Sequence, residues 1–248
     1  MRRWQAVLVG AGALVLAVPF TVSAQRDDAP PAAASPAPTD PAVPSTDPGA
    51  SSAPSPSAPA SPSAVPSPTR IRVVKKGSGT LQMAAGGSAR SGPGPLRRYS
   101  VQVEEGLGVD AADFAAQVEA TLADPRSWGA DGRLSFRRVS SGPVDVQVVL
   151  ASPSTADRLC LPLDTAGIYS CGIGSTAVIN SMRWLRGADA YDGHLPEYRQ
   201  YVINHEVGHT LGHHHESCAG PGRAAPVMMQ QTKGVGACRP VPWPYPER

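Results

Sequence analysis

The sequence has no large excess of positive or negative charge. It also contains only six histidines. From residue 70 to the C-terminus it carries 19 Lys and Arg against 16 Asp and Glu. Binding to nucleic acid needs a concentrated basic face, so this near balance argues against a nucleic-acid partner. No tandem repeat of domain size occurs in the chain.

Residues 29–69 lack aromatic side chains altogether and carry only two charged ones, Asp40 and Asp47. A segment made almost entirely of Ala, Pro, Ser and Thr cannot bury enough apolar surface to offset its chain entropy. We therefore predict a disordered Pro/Ala/Ser-rich linker over residues 25–69. Its prolines make it a stiff, extended spacer, and we expect an inert linker rather than a segment that binds a specific partner.

Residues 1–24 are typical of an export segment. Arg2 and Arg3 precede an uncharged run that extends to Val22, and a small-residue cleavage pattern ends at Ala24. The run is also long enough for an uncleaved transmembrane anchor. Because the arginines stay inside, both interpretations place the rest of the chain outside the cytoplasm. We expect a protein that is either secreted or anchored to the outer face of the cytoplasmic membrane, with no other membrane contact.

Residues 70–248 remain for a folded domain, which is long enough to bury a core of its own. All four cysteines lie here, at Cys160, Cys171, Cys218 and Cys238. An even number of cysteines in an exported chain predicts two disulfides, for which three pairings exist. Proximity in sequence favours Cys160–Cys171 and Cys218–Cys238.

Alternating apolar residues predict the strands of this domain. A hairpin is expected where two short apolar segments flank the sequence KGSG, and a weaker strand, nearer a sheet edge, is expected at Thr176–Met182. The predicted strand segments are residues 70–75, 80–84, 99–103, 134–136, 144–148 and 176–182.

Two helices are predicted between these strands. The first begins after Asp110, which suits an N-cap, and repeats apolar residues every fourth position up to Leu122. The second has Pro196 in its first turn and should run to about residue 211, ending at Gly212. The fold class is therefore α+β with α/β-like features, in which a twisted mixed sheet is backed by two helices.

Five of the six histidines lie within one short segment, HEVGHTLGHHH, residues 205–215. On a helix, His205 and His209 share one face, so both imidazoles can reach the same metal ion. His213 would lie about 12 Å along a straight helix from His205. Nitrogens that bind one zinc ion lie only about 3–4 Å apart, which excludes His213 as a partner of His205 on such a helix.

The chain must therefore turn before a third histidine can reach the metal. Gly212 permits a turn with positive φ, after which His215 can return to the site. We predict a Zn²⁺ site formed by His205, His209 and His215, with His213 and His214 as turn or surface residues. A histidine-rich metal scavenger without catalysis is the alternative.

Glu206 follows the first predicted ligand directly. A carboxylate beside the metal can take a proton from the attacking water and pass it to the leaving nitrogen. The H-E-x-x-H pattern is the recognised helix signature of zinc proteases. Glu206 is therefore the predicted general base.

The segment HEVGHTLGHHH resembles the extended zinc motif of the metzincin metallopeptidases at every defining position. This resemblance implies the same zinc ligands and the same role for Glu206. It also implies a methionine turn beneath the metal, for which Met228 in APVMMQQ is the candidate and Met229 the weaker choice. The strand at Thr176–Met182 would then be the cleft-edge strand that pairs with an extended substrate.

A closer resemblance is to a family of exported bacterial proteins, whose shared domain of unknown function carries a metzincin-type zinc motif. The chain departs from well-studied metzincins after Met228, where only 20 residues remain. The usual C-terminal helix has no room, and no tyrosine directly follows the methionine. The lower half of the cleft must be small and rely on the Cys218–Cys238 disulfide.

These observations predict an exported zinc-dependent endopeptidase that acts on a peptide or protein substrate as a monomer. The alternatives are a zinc-binding module of the cell envelope without catalysis and an amidase that acts on cell-wall peptides. Nothing in the sequence identifies a sugar-binding cleft, which ranks the amidase lower.

Overall fold

The computed structural model describes residues 72–248, so the predicted export segment and linker lie outside the described residues. This part of the chain folds into a twisted sheet with four helices, which confirms the α+β class. No helix within it combines the length and apolar character needed to cross a bilayer. The strands are β1 (Leu81–Met83), β2 (Leu96–Glu104), β3 (Ser135–Arg138), β4 (Val146–Ala151), β5 (Cys171–Ile173) and β6 (Thr176–Asn180), and the helices are α1 (Ala111–Ala123), α2 (Pro153–Leu159), α3 (Ser181–Arg186) and α4 (Leu195–Thr210).

The six strands form one mixed sheet in the order β1-β2-β4-β6-β5, and β3 also pairs with β2. Strands β2, β4 and β6 are parallel, β3 is parallel to β2, and the strands β1 and β5 are antiparallel to their neighbours. The parallel strands β2 and β3 are joined through α1 and so form a β–α–β crossover unit.

The strand predicted at Thr176–Met182 lies next to the edge strand, as expected, but it is not itself the edge strand and does not line the cleft. Strand β6 ends at Asn180 and lies between β4 and β5, so β5 is the outer strand on this side. Ser181 and Met182 instead begin α3, whose N-cap is Asn180. A three-residue strand such as β5 is too short to show an alternating pattern, which is why the sequence did not reveal it.

The hairpin predicted around KGSG does not form within the described residues. Residues 72–75 form no strand, and β1 pairs with β2 instead. The glycines of this turn face the buried carboxylate of Glu104: the amide of Gly79 donates to it at 2.7 Å, and a side chain at Gly77 would overlap with it. This buried charge therefore determines the local backbone through hydrogen bonds that the hydrophobic pattern does not reveal.

The main core lies between one face of the sheet and the helices α1 and α4. On α1, Phe114, Val118 and Leu122 are buried, and Asp110 caps the helix by accepting hydrogen bonds from two backbone amides, as predicted. The short helix α2 covers the opposite face in a smaller apolar cluster. Both predicted helices thus back the sheet, and α4 lies against the strands β5 and β6.

Candidate metal centre

Helix α4 carries two of the three predicted ligands. His205 and His209 lie one turn apart, with ring centroids separated by 4.8 Å. His205 is only 4% exposed, whereas His209 is half-buried. The helix ends at Thr210, one residue before the predicted end, and Gly212 adopts a positive φ of 91°. A positive φ favours glycine because it has no Cβ, so the predicted turn forms at this position.

The turn brings the third histidine back to the first two. The Nε2 atoms of His209 and His215 lie 3.1 Å apart, and the ligand atoms of all three histidines lie within 4.8 Å of one another. His213 turns away and stacks on Trp128 with ring centroids 4.3 Å apart. His214 is exposed and lines the cleft without joining the group. The structure thus brings together the predicted ligand set.

Hydrogen bonds fix the tautomers of the two helical histidines. The Nδ1 of His205 faces the carbonyl of Val227 at 2.8 Å, and the Nδ1 of His209 faces the carbonyl of His213 at 2.9 Å. A carbonyl only accepts, so each Nδ1 carries the proton and each Nε2 keeps its lone pair. Histidines that bind a metal through one ring nitrogen usually donate a hydrogen bond from the other nitrogen in this way.

The protonation states also suit a metal site. Burial, with a smaller contribution from the neighbouring His209 and His215, lowers the pKa of His205 to about 3, although the hydrogen bond to Val227 acts in the opposite direction. Burial likewise lowers the pKa values of His209 and His215. Three neutral imidazoles whose ligand nitrogens lie within 4.8 Å of one another offer the donor chemistry that zinc prefers. The cluster could therefore hold a metal ion, while its assignment to zinc stays a prediction.

Glu206 lies beside this cluster, with only 5% of its surface exposed. Its side chain lines the same cleft as the three histidines, and the cleft has a volume of about 290 Å³. Burial raises the pKa of Glu206 well above its usual value. A carboxyl group in such surroundings holds its proton more tightly than an exposed one.

Three successive carbonyls of the segment 227–229 connect the C-terminal part to the site. The carbonyl of Val227 accepts from His205, that of Met228 from the amide of Glu216, and that of Met229 from the hydroxyl of Tyr201. The Met228 side chain is fully buried beneath α4. Its place agrees with the predicted methionine turn, a role that stays a prediction.

Gly208 is a requirement that the sequence reasoning missed. A Cβ at this position would lie 2.5 Å from the Met228 sulfur and 2.6 Å from the Trp128 ring. Only glycine lets the methionine and the tryptophan pack this closely against α4. The signal was a glycine within the last turn of a predicted helix, which is unfavourable unless close packing requires it.

Gln231 is a second residue that the sequence reasoning missed. It is fully buried, and its amide nitrogen donates to the carbonyls of Pro226 and Val241 at 3.0 and 2.8 Å. Its amide oxygen accepts from Tyr191 and from the backbone of Val241 at 2.9 and 3.1 Å. Gln231 therefore ties the methionine segment to the C-terminal tail.

Asn204 plays a similar part beside the first ligand. Its side chain accepts from Ser127 and donates to the carbonyl of Pro242, while its carbonyl accepts from Trp128. A buried amide that directly precedes His205 thus joins α4 to both neighbouring segments. The only sign of this role in the sequence was a polar residue, Asn204, directly after the apolar residues Val202 and Ile203 of the predicted helix.

Strand β5 forms part of the cleft, in place of the predicted segment Thr176–Met182. Cys171 and Gly172 line the cleft, and a side chain at Gly172 would overlap with the carbonyl of Glu206 and the Cβ of His209. Glycine at this position lets β5 lie directly on the helix that carries the histidines.

The two predicted disulfides are confirmed. Cys160 bonds to Cys171, and Cys218 bonds to Cys238. The first closes the segment that leads into β5, and the second closes the segment that contains Met228. Two structural disulfides are typical of chains that fold in an oxidising environment outside the cytoplasm.

Comparison with protein families gives one match. The model of the DUF3152 family, described as a protein of unknown function, matches residues 67–239. The chain belongs to this family. No curated protein and no solved structure matches it. The DUF3152 match contains all three histidines, Glu206 and the four cysteines. The expected family of unknown function is thus confirmed, and its description names neither a metal nor an activity.

Proposed function

We propose that this DUF3152 protein is a zinc-dependent endopeptidase that acts outside the cytoplasm. The observation that carries the proposal is the meeting of three neutral imidazoles in an open cleft beside the buried carboxylate of Glu206. The resemblance of the histidine segment to the metzincin motif supports the same conclusion. His205, His209 and His215 would hold the ion.

The residues present favour a catalytic over a structural zinc site. Structural zinc usually has four protein ligands, and a catalytic site has three. In residues 72–248, only three side chains join the cluster, and the nearest cysteine in sequence, Cys218, is in a disulfide. When bound, zinc would lower the pKa of a coordinated water and polarise the carbonyl of the substrate.

Glu206 supplies the proton transfers of the reaction. Its carboxylate takes a proton from the attacking water and passes it to the leaving nitrogen of the peptide bond. The low exposure of the side chain keeps bulk water from competing for this proton. The hydrogen bonds to Val227 and His213 hold His205 and His209 with their lone pairs toward the cleft.

The cleft suits an extended peptide as substrate. Its wall includes the outer strand β5, which has a strand partner on one side only among the described residues. A free strand edge can pair with the backbone of a peptide and so bind many sequences. We propose a peptide or protein substrate, cleaved by a monomer that is either secreted or anchored at the membrane.

The test is the substitution Glu206→Gln in the full-length, zinc-loaded protein, assayed on a diverse peptide library. Glutamine keeps the shape of the side chain but cannot act as a base. We expect the variant to retain its zinc and its fold and to lose at least about 10²-fold in peptide hydrolysis. Glu197→Gln is the matched control, because Glu197 is an exposed residue on the same helix.

Two results would overturn the proposal. One is a zinc-loaded wild type that cleaves nothing in a broad panel of peptides and cell-wall fragments, which would favour a non-catalytic zinc module. The other is a Glu206→Gln variant that cleaves as fast as the wild type.

A further inference from the structure

A lysine lies at the edge of the cleft, close to the candidate metal centre. Lys233 and Tyr169 line the same cleft as Glu206 and the three histidines. The ammonium nitrogen of Lys233 lies 4.9 Å from the centre of the Tyr169 ring. At this distance, a cation is attracted to the face of an aromatic ring, so Tyr169 gives the flexible lysine a preferred position.

The charge of Lys233 is not neutralised by the protein. None of the ion pairs within residues 72–248 includes it, and among the residues that line the cleft the only carboxylate is that of Glu206. A second cation, Arg183, lies 5.9 Å from the same ring but donates to the carbonyls of Ile168 and Gly187. This part of the cleft therefore has positive charge and an ammonium group with free donors.

The backbone that carries Lys233 is fixed, although its side chain is exposed. Its amide donates to the carbonyl of Gln230 at 2.9 Å, and the preceding Thr232 contacts the hydroxyl of Tyr198 at 3.1 Å. Gln231, one position earlier, is fully buried. A charged group on a rigid base loses less conformational entropy when it binds a ligand.

We propose that Lys233, positioned by Tyr169, binds a carboxylate of the peptide substrate next to the cleavage site. The site then selects peptides that present a carboxylate there, either from an acidic side chain or from a free C-terminus. This inference rests on the proposed function, because it assumes that peptides occupy the cleft. Lysine acts as a point charge and does not require bidentate geometry, so both sources of carboxylate fit.

The test uses one peptide sequence in four forms. The residue next to the scissile bond is Glu or Gln, and the C-terminus is a free acid or an amide. Binding of each peptide to the zinc-loaded, full-length Glu206→Gln protein is measured by fluorescence anisotropy, and cleavage is measured with the wild type. We expect at least one carboxylate form to bind about fivefold tighter than its neutral partner, as an exposed ion pair allows.

Variants of the lysine sharpen the test. Lys233→Gln should bring the ratio of affinities for acidic and neutral peptides close to one, and Lys233→Glu should reverse the preference. Lys76→Gln is the matched control, since Lys76 is an exposed lysine that is not among the cleft residues, and its ratio should equal that of the wild type. Added salt should reduce the wild-type ratio.

The outcomes separate this inference from the proposed function. Equal binding of all four peptides, or a preference that persists in Lys233→Gln, would overturn the role of Lys233 even if the wild type cleaves peptides. Selective binding without any cleavage by the wild type would support Lys233 and contradict the endopeptidase.

Discussion

The sheet with its helices and the C-terminal segment are built in different ways. Residues 72–210 contain all six strands and all four α-helices of the described chain, and they bury most of the apolar core. In residues 211–248, the regular structure is a single turn of 3-10 helix, Gln231–Lys233. A disulfide, buried amide groups and backbone carbonyls hold this second region in place.

The candidate metal centre lies where the two regions meet. His205 and His209 are positioned by a helix that packs on the sheet, whereas His215 belongs to the irregular segment. The backbone positions of the first two thus follow from apolar burial of the helix, while hydrogen bonds to the carbonyls of Val227 and His213 orient their rings. The position of the third depends on a small number of specific polar contacts and one cross-link. Substitutions in the two regions should therefore differ in their effects on the free energy of unfolding and on metal affinity.

The largest effect on stability is expected in the sheet region. Phe136 on β3 is 1% exposed and packs edge-to-face on Tyr99. Phe136→Ala should lower the free energy of unfolding by about 4 kcal/mol, because it leaves a cavity in the core. Since β3 is separated from the cleft strand β5 by the strands β2, β4 and β6, the zinc affinity of the folded variant should change by no more than about twofold. Urea unfolding with a chelator and zinc titration measure the two quantities.

The two disulfides allow a matched comparison. Replacing both Cys218 and Cys238 by Ser should lower the free energy of unfolding by about 3 kcal/mol in the chain-entropy model, and replacing Cys160 and Cys171 should cost about as much. Only the first pair should also weaken zinc binding markedly, because it closes the segment between His215 and the C-terminal tail. Equal zinc affinity in both double variants would show that the cross-link does not position the third ligand.

A smaller effect is expected at Gln231. Gln231→Leu leaves the buried hydroxyl of Tyr191 and the backbone groups of Pro226 and Val241 without their partner. Unsatisfied buried groups of this kind should cost about 2 kcal/mol of unfolding free energy. Zinc affinity should fall as well, in contrast to Phe136→Ala. If Gln231→Leu lowers stability but leaves zinc binding intact, the network does not support the metal site.

The same contrast explains what the sequence could predict. The limits of α4, the turn at Gly212 and the α1 cap follow from local patterns of three to four residues, and the structure has them within one residue. The grouping of the three histidines follows from helix geometry and the reach of a short turn. Apolar periodicity likewise located the strands β2, β3 and β4.

What the sequence did not predict depends on contacts between distant segments. Where the hairpin was expected, the carboxylate of Glu104 instead accepts a hydrogen bond from Gly79 and lies against Gly77. Strand β5 gains its place from pairing with β6 and from close packing on α4. The roles of Asn204 and Gln231 become visible only once residues far apart in the chain are brought together. No periodic pattern encodes a hydrogen bond of this kind.

Zinc titration of the metal-free, full-length protein tests the central claim most directly, with His215→Ala and His213→Ala as a matched pair. His213 contributes its backbone carbonyl to His209, which alanine retains, whereas His215 contributes its ring. The account predicts one zinc per chain for the wild type and for His213→Ala, and an affinity at least about 100-fold lower for His215→Ala. Full affinity in His215→Ala together with lost binding in His213→Ala would contradict it.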